Sequence, residues 1–108
     1  MSLNCNRLNL SDEEMSRILN SFISNSRNFS LLHRLSASLN NFTEIPLEIR
    51  LFPSPAVLDF SGNEIASIKA DDFQLSSVTI GDADPMHLLY LNANEINNIE
   101  PGAFEGIQ

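Results

Sequence analysis

The sequence predicts an α/β repeat fold with about four short parallel strands and one helix near its N-terminus. Three observations predict it: a pattern of apolar residues and asparagine that recurs along the chain, one amphipathic stretch with a helix start signal, and enough apolar residues for one core. The 108 residues are 43% hydrophobic and 19% charged, which suits a single small domain better than a disordered chain.

The recurring pattern is L-x-x-L-x-L-x-x-N-x-L, and it is clearest in residues 86–96. The asparagines of its three copies, Asn40, Asn63 and Asn94, lie 23 and 31 residues apart. Side chains alternate along a strand, so each Leu-x-Leu pair predicts a short strand with its leucines in the core. Within a single domain of residues 1–108 we expect repeats at 32–54, 55–85 and 86–108.

A weaker copy opens the chain, and residues 5–31 are expected to form a degenerate first repeat or an N-terminal cap. In this copy Leu8 and Leu10 take the inward strand positions. Cys5 is the only cysteine, which excludes a disulfide within the chain.

A helix is predicted over about residues 12–24. Ser11-x-x-Glu14 is a capping box, and acidic residues follow it in the first turn. The apolar residues that come next have helical spacing and form one face. They are Met15, Ile18, Leu19, Phe22 and Ile23.

The repeat at 55–85 is long, and its excess falls in residues 75–85. Val78 and Ile80 have the alternation of a short extra strand, but no complete copy of the pattern fits there. We expect an insertion that ends in a turn at residues 81–85, where glycine, aspartate and proline cluster.

The three copies resemble the leucine-rich repeat family, over about residues 32–108. Residues 94–106 resemble its extracellular animal class, and Cys5–Ile23 resembles an arthropod secreted group that includes the non-catalytic subunit of shrimp luciferase. The resemblance implies a right-handed solenoid with its strands on the concave face. It also implies that Asn40, Asn63 and Asn94 bond backbone groups and that the chain has no enzymatic activity. One role that it offers for Cys5 is the last cysteine of a truncated N-terminal cap.

Three functions remain open at this point. The first is a protein-binding segment of a larger secreted or cell-surface protein. The second is an accessory non-catalytic subunit of a secreted enzyme complex, and the third is an intracellular, cytoplasmic repeat scaffold. Because the last copy lacks a capping helix, we expect a fragment that is marginally stable or self-associates through its open C-terminal strand edge.

Charge and motifs exclude several other classes. The net charge is −8, which argues against binding to nucleic acid or anionic membranes. Acidic residues outnumber basic ones nine to one in residues 57–108, while residues 1–56 are balanced. His33 and His87 fall in non-adjacent repeats, so no metal site is expected, and no motif indicates a cofactor or a catalytic residue.

The candidate binding site is the outward face of the predicted strands, whose residues alternate with the core leucines. Aromatic residues anchor protein interfaces, so Tyr90, the only tyrosine, is the candidate anchor for a protein partner. The alternative is that Tyr90 is exposed without a binding role or is covered by the next repeat. The complete predicted set is Arg7, Asn9, Arg34, Ser36, Asp59, Ser61, Leu88, Tyr90 and Asn92. Of three Asn-x-Ser/Thr sequons, those at Asn28 and Asn41 are candidate glycosylation sites if the protein is secreted.

Overall fold

A computed structural model of the protein describes residues 2–25, 32–51, 57–72 and 88–103. Its strands are β1 (Ser2–Asn4), β2 (Arg34–Ser36), β3 (Val57–Asp59), β4 (Ser67–Ile68), β5 (Leu88–Tyr90) and β6 (Asn98–Ile99). The main element is a parallel sheet in the order β1-β2-β3-β5, and the shorter parallel strands β4 and β6 form a second sheet. The α/β class and the four parallel strands predicted from the sequence are therefore present.

One leucine from each strand of the main sheet lies in register with the next. Leu3 pairs with Leu35, Leu35 with Leu58, and Leu58 with Leu89. Leu35 and Leu58 are fully buried, and the two outer leucines pack on the core from its ends. Burial of one such side chain stabilises a fold by about 1.5–3 kcal/mol, so this row fixes the register of the sheet.

Most of the core lies on the side of the sheet to which these leucines point. Phe42 and Phe60 are its largest buried side chains. The remaining members come from the turns that follow each strand, from the helix, and from the segments that lead back to the next strand. The described core contains Cys5, Leu10, Met15, Leu19, Leu32, Leu35, Ala37, Phe42, Ile45, Ile49, Leu58, Phe60, Ile65, Ile68 and Ala103.

Asparagine side chains connect the turns that follow neighbouring strands. Oδ1 of Asn63 accepts hydrogen bonds from the backbone N–H groups of Asn40 and Phe42, at 3.1 and 3.2 Å. Its Nδ2 donates to the carbonyl oxygens of Ala37 and Phe60 at 3.1 and 3.0 Å. Turn backbone that is buried beside a core needs such partners, because an unpaired polar group there is costly.

Asn40 and Asn94 make the equivalent bonds on either side. Oδ1 of Asn40 accepts from the N–H groups of Leu8 and Leu10 at 3.1 and 3.0 Å, and Oδ1 of Asn94 accepts from Ile65 at 3.0 Å. All three predicted asparagines thus bond backbone groups of the preceding segment. In the first segment Leu8 stands at this position, and 55% of its surface is exposed.

The residue before each of these positions has a left-handed backbone. The φ angle is 57° at Arg7, 58° at Leu39, 70° at Gly62 and 57° at Ala93. At Gly62 the side chain of Leu39 lies across the backbone, so an added Cβ would come within 2.6 Å of Leu39 Cδ2. A left-handed residue therefore recurs in the turn after each strand, directly before the asparagine or, in the first segment, before Leu8.

The predicted helix is confirmed as α1, Asp12–Asn25. Its capping box is formed: the Ser11 N–H donates to Glu14 Oε1 at 3.2 Å, and the Glu14 N–H donates to Ser11 Oγ at 3.3 Å. Met15 and Leu19 are fully buried on its apolar face. The 14-residue helix is too short and too polar to cross a membrane, as is every other helix in the described part of the chain.

A five-residue 3₁₀ helix, Leu47–Leu51, lies beside α1 and buries Ile49. Glu48 joins the two helices, because its carboxylate accepts from Ser16 Oγ at 3.0 Å and from Asn20 Nδ2 at 3.2 Å. Arg50 lies 3.2 Å from the carboxylate of Asp71. This side of the core is therefore closed by short helices and polar links.

The second sheet was not predicted. Its strands β4 and β6 follow the turns that contain Asn63 and Asn94. Its isoleucines, Ile68 and Ile99, pair across β4 and β6. Ile68 is fully buried, whereas Ile99 is 53% exposed. Ile99 is exposed because no further strand in the described part of the chain pairs with β6 and covers it.

The first strand begins earlier than the sequence suggested. Leu3, and not Leu8, is in register with Leu35, so the inward positions predicted at Leu8 and Leu10 are wrong for the strand. Leu10 is buried after the turn, at a place equivalent to Phe42. Seven residues separate Leu3 from Leu10 and also Leu35 from Phe42, and this shared spacing sets the strand at 2–4 rather than within the predicted 5–31 segment.

Candidate partner-binding face

The outward side chains of the main sheet form two rows across its strands, which lie about 4.8 Å apart. Pairing aligns Arg34 with Val57 and Val57 with Leu88 in one row. It aligns the next row two residues further along each strand. That second row consists of Asn4, Ser36, Asp59 and Tyr90.

A third row continues the face just beyond the strands. The Leu39 N–H donates to Ser61 O at 2.9 Å, and the Gly62 N–H donates to Asn92 O at 3.0 Å. These bonds hold the ends of neighbouring strands side by side. The row consists of Asn6, Ser38, Ser61 and Asn92. The three rows together are called the outward face below.

Arg7 and Asn9 do not belong to this face, so the prediction that placed them there is wrong. Both follow β1 with left-handed backbone, at φ angles of 57° and 55°. The side chain of Asn9 meets Asn41 instead of the sheet. The five-residue shift of the first strand explains the error, since Ser2 and Asn4 take the positions that the sequence assigned to Arg7 and Asn9.

Several polar side chains of the outward face are held in place by one another. Ser36 Oγ donates to Asn6 Oδ1 at 2.9 Å, and the Ser38 N–H donates to the same oxygen at 2.8 Å. Asp59 Oδ1 accepts from both the N–H and the Oγ of Ser61, at 3.0 and 2.7 Å. Side chains fixed in this way lose little conformational freedom when a partner binds.

The strand at one end of the face, β5, carries two large exposed side chains. Leu88 is 47% exposed and Tyr90 is 39% exposed. Asp59 is half-buried beside Tyr90 in its row, and Arg34 is exposed on β2. The face thus combines a cation, a carboxylate and an apolar aromatic edge on short, hydrogen-bonded strands.

The comparisons with known proteins add no assignment. No family model, no curated protein and no solved structure matches the chain. The geometry of its own residues is therefore the basis for any functional conclusion.

The described residues offer no metal centre, because they contain no group of three histidine, cysteine, aspartate or glutamate side chains that could hold an ion. His33 is exposed, and its carbonyl oxygen accepts from Val57 at 3.1 Å. His87 and Asn28 lie outside the described residues, as does the insertion predicted at 75–85.

Cys5 is a free, buried thiol that faces the core directly after β1. Its N–H donates to Ser36 O at 2.7 Å, in the same way that Ala37 donates to Asp59 O at 2.8 Å. Burial raises the pKa of the Cys5 thiol above its ordinary value. The residue therefore packs as a small apolar side chain in the core.

A groove of about 400 Å³ lies between β1 and α1. Its walls are mostly apolar, and its charged member Arg17 forms an ion pair with Glu13 at 2.7 Å. The polar groups needed for a catalytic constellation are absent from its lining, which consists of Leu3, Arg17, Ile18, Ser21 and Phe22.

Proposed function

We propose that this protein is a non-catalytic, extracellular leucine-rich repeat module that binds a protein partner through its outward face. The observation that carries the proposal is the exposure of Leu88 and Tyr90 on β5, with Asp59 on the adjacent strand and Arg34 one strand further along the face. Hot spots of protein interfaces are enriched in tyrosine and arginine, and they form where apolar contact area lies beside fixed polar groups.

The repeat assignment within this proposal is supported by the stacking of the segments. Parallel strands in constant register, asparagines that bond the preceding turn, and left-handed residues before each asparagine position recur from segment to segment. The asparagine bonds satisfy turn backbone that a repeat array would bury.

The charge of the chain supports the choice of partner. Nine acidic residues and one basic residue lie in positions 57–108, the half that contributes Asp59 and Tyr90. Such a field raises the association rate of a positively charged partner surface. The partner is therefore expected to present basic residues around an apolar contact for Leu88 and Tyr90.

The test is photo-crosslinking followed by affinity measurement. A benzophenone amino acid at position 90 is expected to capture a partner from the extracellular fluid of the source tissue, whereas the same group at the exposed position 97 is not. With the captured partner purified, Tyr90→Ala should weaken binding by about 1–2 kcal/mol, or roughly 5- to 30-fold.

Two further variants determine whether the face is assigned correctly. Arg34→Ala combined with Tyr90→Ala should weaken binding more than either change alone. Lys69→Ala, at an exposed site beyond β4, serves as the control and should leave affinity unchanged. Unchanged affinity in the double variant, together with loss of binding in the Lys69 variant, would overturn the assignment.

A further inference from the structure

Two of the three sequons meet on the surface of the folded protein. Asn9-Leu10-Ser11 and Asn41-Phe42-Thr43 are far apart in the chain, but Asn41 Nδ2 donates a hydrogen bond to Asn9 Oδ1. Both asparagines are exposed. They meet because each one directly precedes the core residue after a turn, so the stacking of the two segments also stacks the two acceptor amides.

The remaining sequon residues are engaged in the folded state. Leu10 and Phe42 are buried in the core, and the Ser11 hydroxyl belongs to the capping box of α1. Thr43 donates to the carboxylate of Asp12 from both its N–H and its Oγ1, at 2.9 and 2.5 Å. Neither tripeptide can leave the surface without breaking core packing, so any modification of these amides must precede folding of this part of the chain.

We propose that Asn9 and Asn41 form one composite acceptor that carries a single N-linked glycan per molecule. The proposal rests on the extracellular placement of the proposed function. In the transfer, Nδ2 of one asparagine bonds to C1 of the first sugar of a lipid-diphosphate-linked oligosaccharide. The bond from C1 to the diphosphate oxygen breaks, its electron pair leaves with the lipid diphosphate, and the amide nitrogen loses a proton.

Single occupancy follows from the contact between the two amides. A glycan is bulky, and a second one attached within hydrogen-bonding distance of the first would occupy the same volume. A doubly modified chain could fold only by separating the first segment from the second. That separation would break the bonds from Asn40 to Leu8 and Leu10, so we expect such chains to fail to reach the folded, secreted pool.

The position of this acceptor also keeps the outward face open. Asn9 and Asn41 each lie five residues beyond a second-row residue of that face, Asn4 and Ser36, and past the left-handed turn that follows each strand. A glycan here would therefore project from the turn edge of the sheet and not from the row that contains Asp59 and Tyr90.

The experiment expresses the full chain behind a cleavable secretion leader in a eukaryotic cell line, with Asn28→Gln to remove the third sequon. Intact mass is measured on both the secreted and the membrane-enclosed pools. We expect secreted molecules with one glycan and none with two. Trypsin cleavage after Arg7, Arg17, Arg34 and Arg50 places the two acceptors in separate peptides, 8–17 and 35–50, so the occupied site can be assigned.

The variants distinguish one composite acceptor from two independent ones. With Asn28→Gln present, Asn9→Gln and Asn41→Gln should each retain one glycan, now confined to the remaining site, and the double variant should have none. Asn97→Gln, an exposed asparagine outside any sequon, is the control for secretion. Secreted molecules with two glycans, or none at either site in either pool, would overturn the proposal.

The leader makes this result independent of where the natural protein resides. If the natural protein is found inside cells, the extracellular part of the proposed function fails, while the single occupancy of the acceptor is still measured. If crosslinking at position 90 captures no partner, the binding proposal fails and the glycan count is unaffected.

Discussion

Replacing Asn63 with alanine tests whether the asparagine side chains that connect neighbouring turns stabilise the folded protein. The change removes the acceptor for the buried N–H groups of Asn40 and Phe42. Each buried donor left unpaired costs about 1–3 kcal/mol, so we expect a loss of about 2–6 kcal/mol in the free energy of unfolding. Small domains are stable by only about 5–15 kcal/mol, so this one side chain supplies a large part of the total.

Asn94, the equivalent asparagine of the next segment, should give a smaller loss of stability for comparison. Asn94 Oδ1 accepts from one backbone N–H, that of Ile65, so Asn94→Ala should cost about 1–3 kcal/mol. Asn97 is exposed, and only its backbone N–H takes part in a hydrogen bond of the described structure, to Ala66 O. Asn97→Ala is therefore the matched control and should stay within about 0.5 kcal/mol of the unmodified protein.

Urea unfolding followed by far-ultraviolet circular dichroism measures all three variants. The midpoints should fall in the order Asn97→Ala, Asn94→Ala, Asn63→Ala, with little change in the slope. If Asn63→Ala is too unstable to fold, Asn94→Ala still tests the reasoning at a smaller cost. Equal losses at positions 63 and 94, or a loss at 63 no greater than that of the control, would refute it.

Two further predictions follow from buried titratable groups. Burial raises the pKa of the Asp72 carboxyl above its ordinary value of 3.8, despite the opposing hydrogen bond from Lys69 and the charge of Arg50. The folded state then binds this proton more tightly than the unfolded state, so stability should fall as pH rises from about 3.8 through the higher folded pKa. Asp72→Asn should flatten that fall in urea titrations at a series of pH values, and an unchanged pH profile would contradict the assignment. The Cys5 thiol is buried with a raised pKa, so a disulfide reagent should modify it only as the protein unfolds in urea. Complete modification in buffer before unfolding begins would show that the first segment is open.

The last three strands of the sheet could be located from sequence because their signals agree. In each, two inward apolar residues are followed by an asparagine at a fixed distance, and the structure forms the corresponding strand and turn. Alternation then places Arg34, Asp59 and Tyr90 on the outward face without further information. The helix could be predicted equally well from the sequence, because its capping box and its apolar spacing indicate the same boundaries.

The first strand could not be located in this way because two local signals disagreed with the packing. Leu8-Asn9-Leu10 has the alternation of a strand. In the first segment Leu8 stands at the position equivalent to Asn40, so the asparagine that marks the later strands is missing. The signal that would have found the strand is the seven-residue interval from an inward leucine to the next buried turn residue. Which residues mark the two ends of this interval depends on tertiary packing. The interval can therefore be recognised only when Leu3 and Leu10 are compared with the equivalent residues of the later segments.

The left-handed residues after each strand bear on how this sheet could be extended by design. A residue with a side chain costs roughly 1–2 kcal/mol in that conformation, whereas glycine adopts it freely. Three of the four positions hold arginine, leucine and alanine, and only Gly62 avoids the cost. A longer protein built by duplicating one unit would incur that cost again with every copy of the Leu39 or Ala93 segment, but not with copies of the unit that contains Gly62. In an array of such copies the residue that precedes Gly62 at the position of Leu39 would itself be glycine, so the leucine side chain that now lies across Gly62 would be absent.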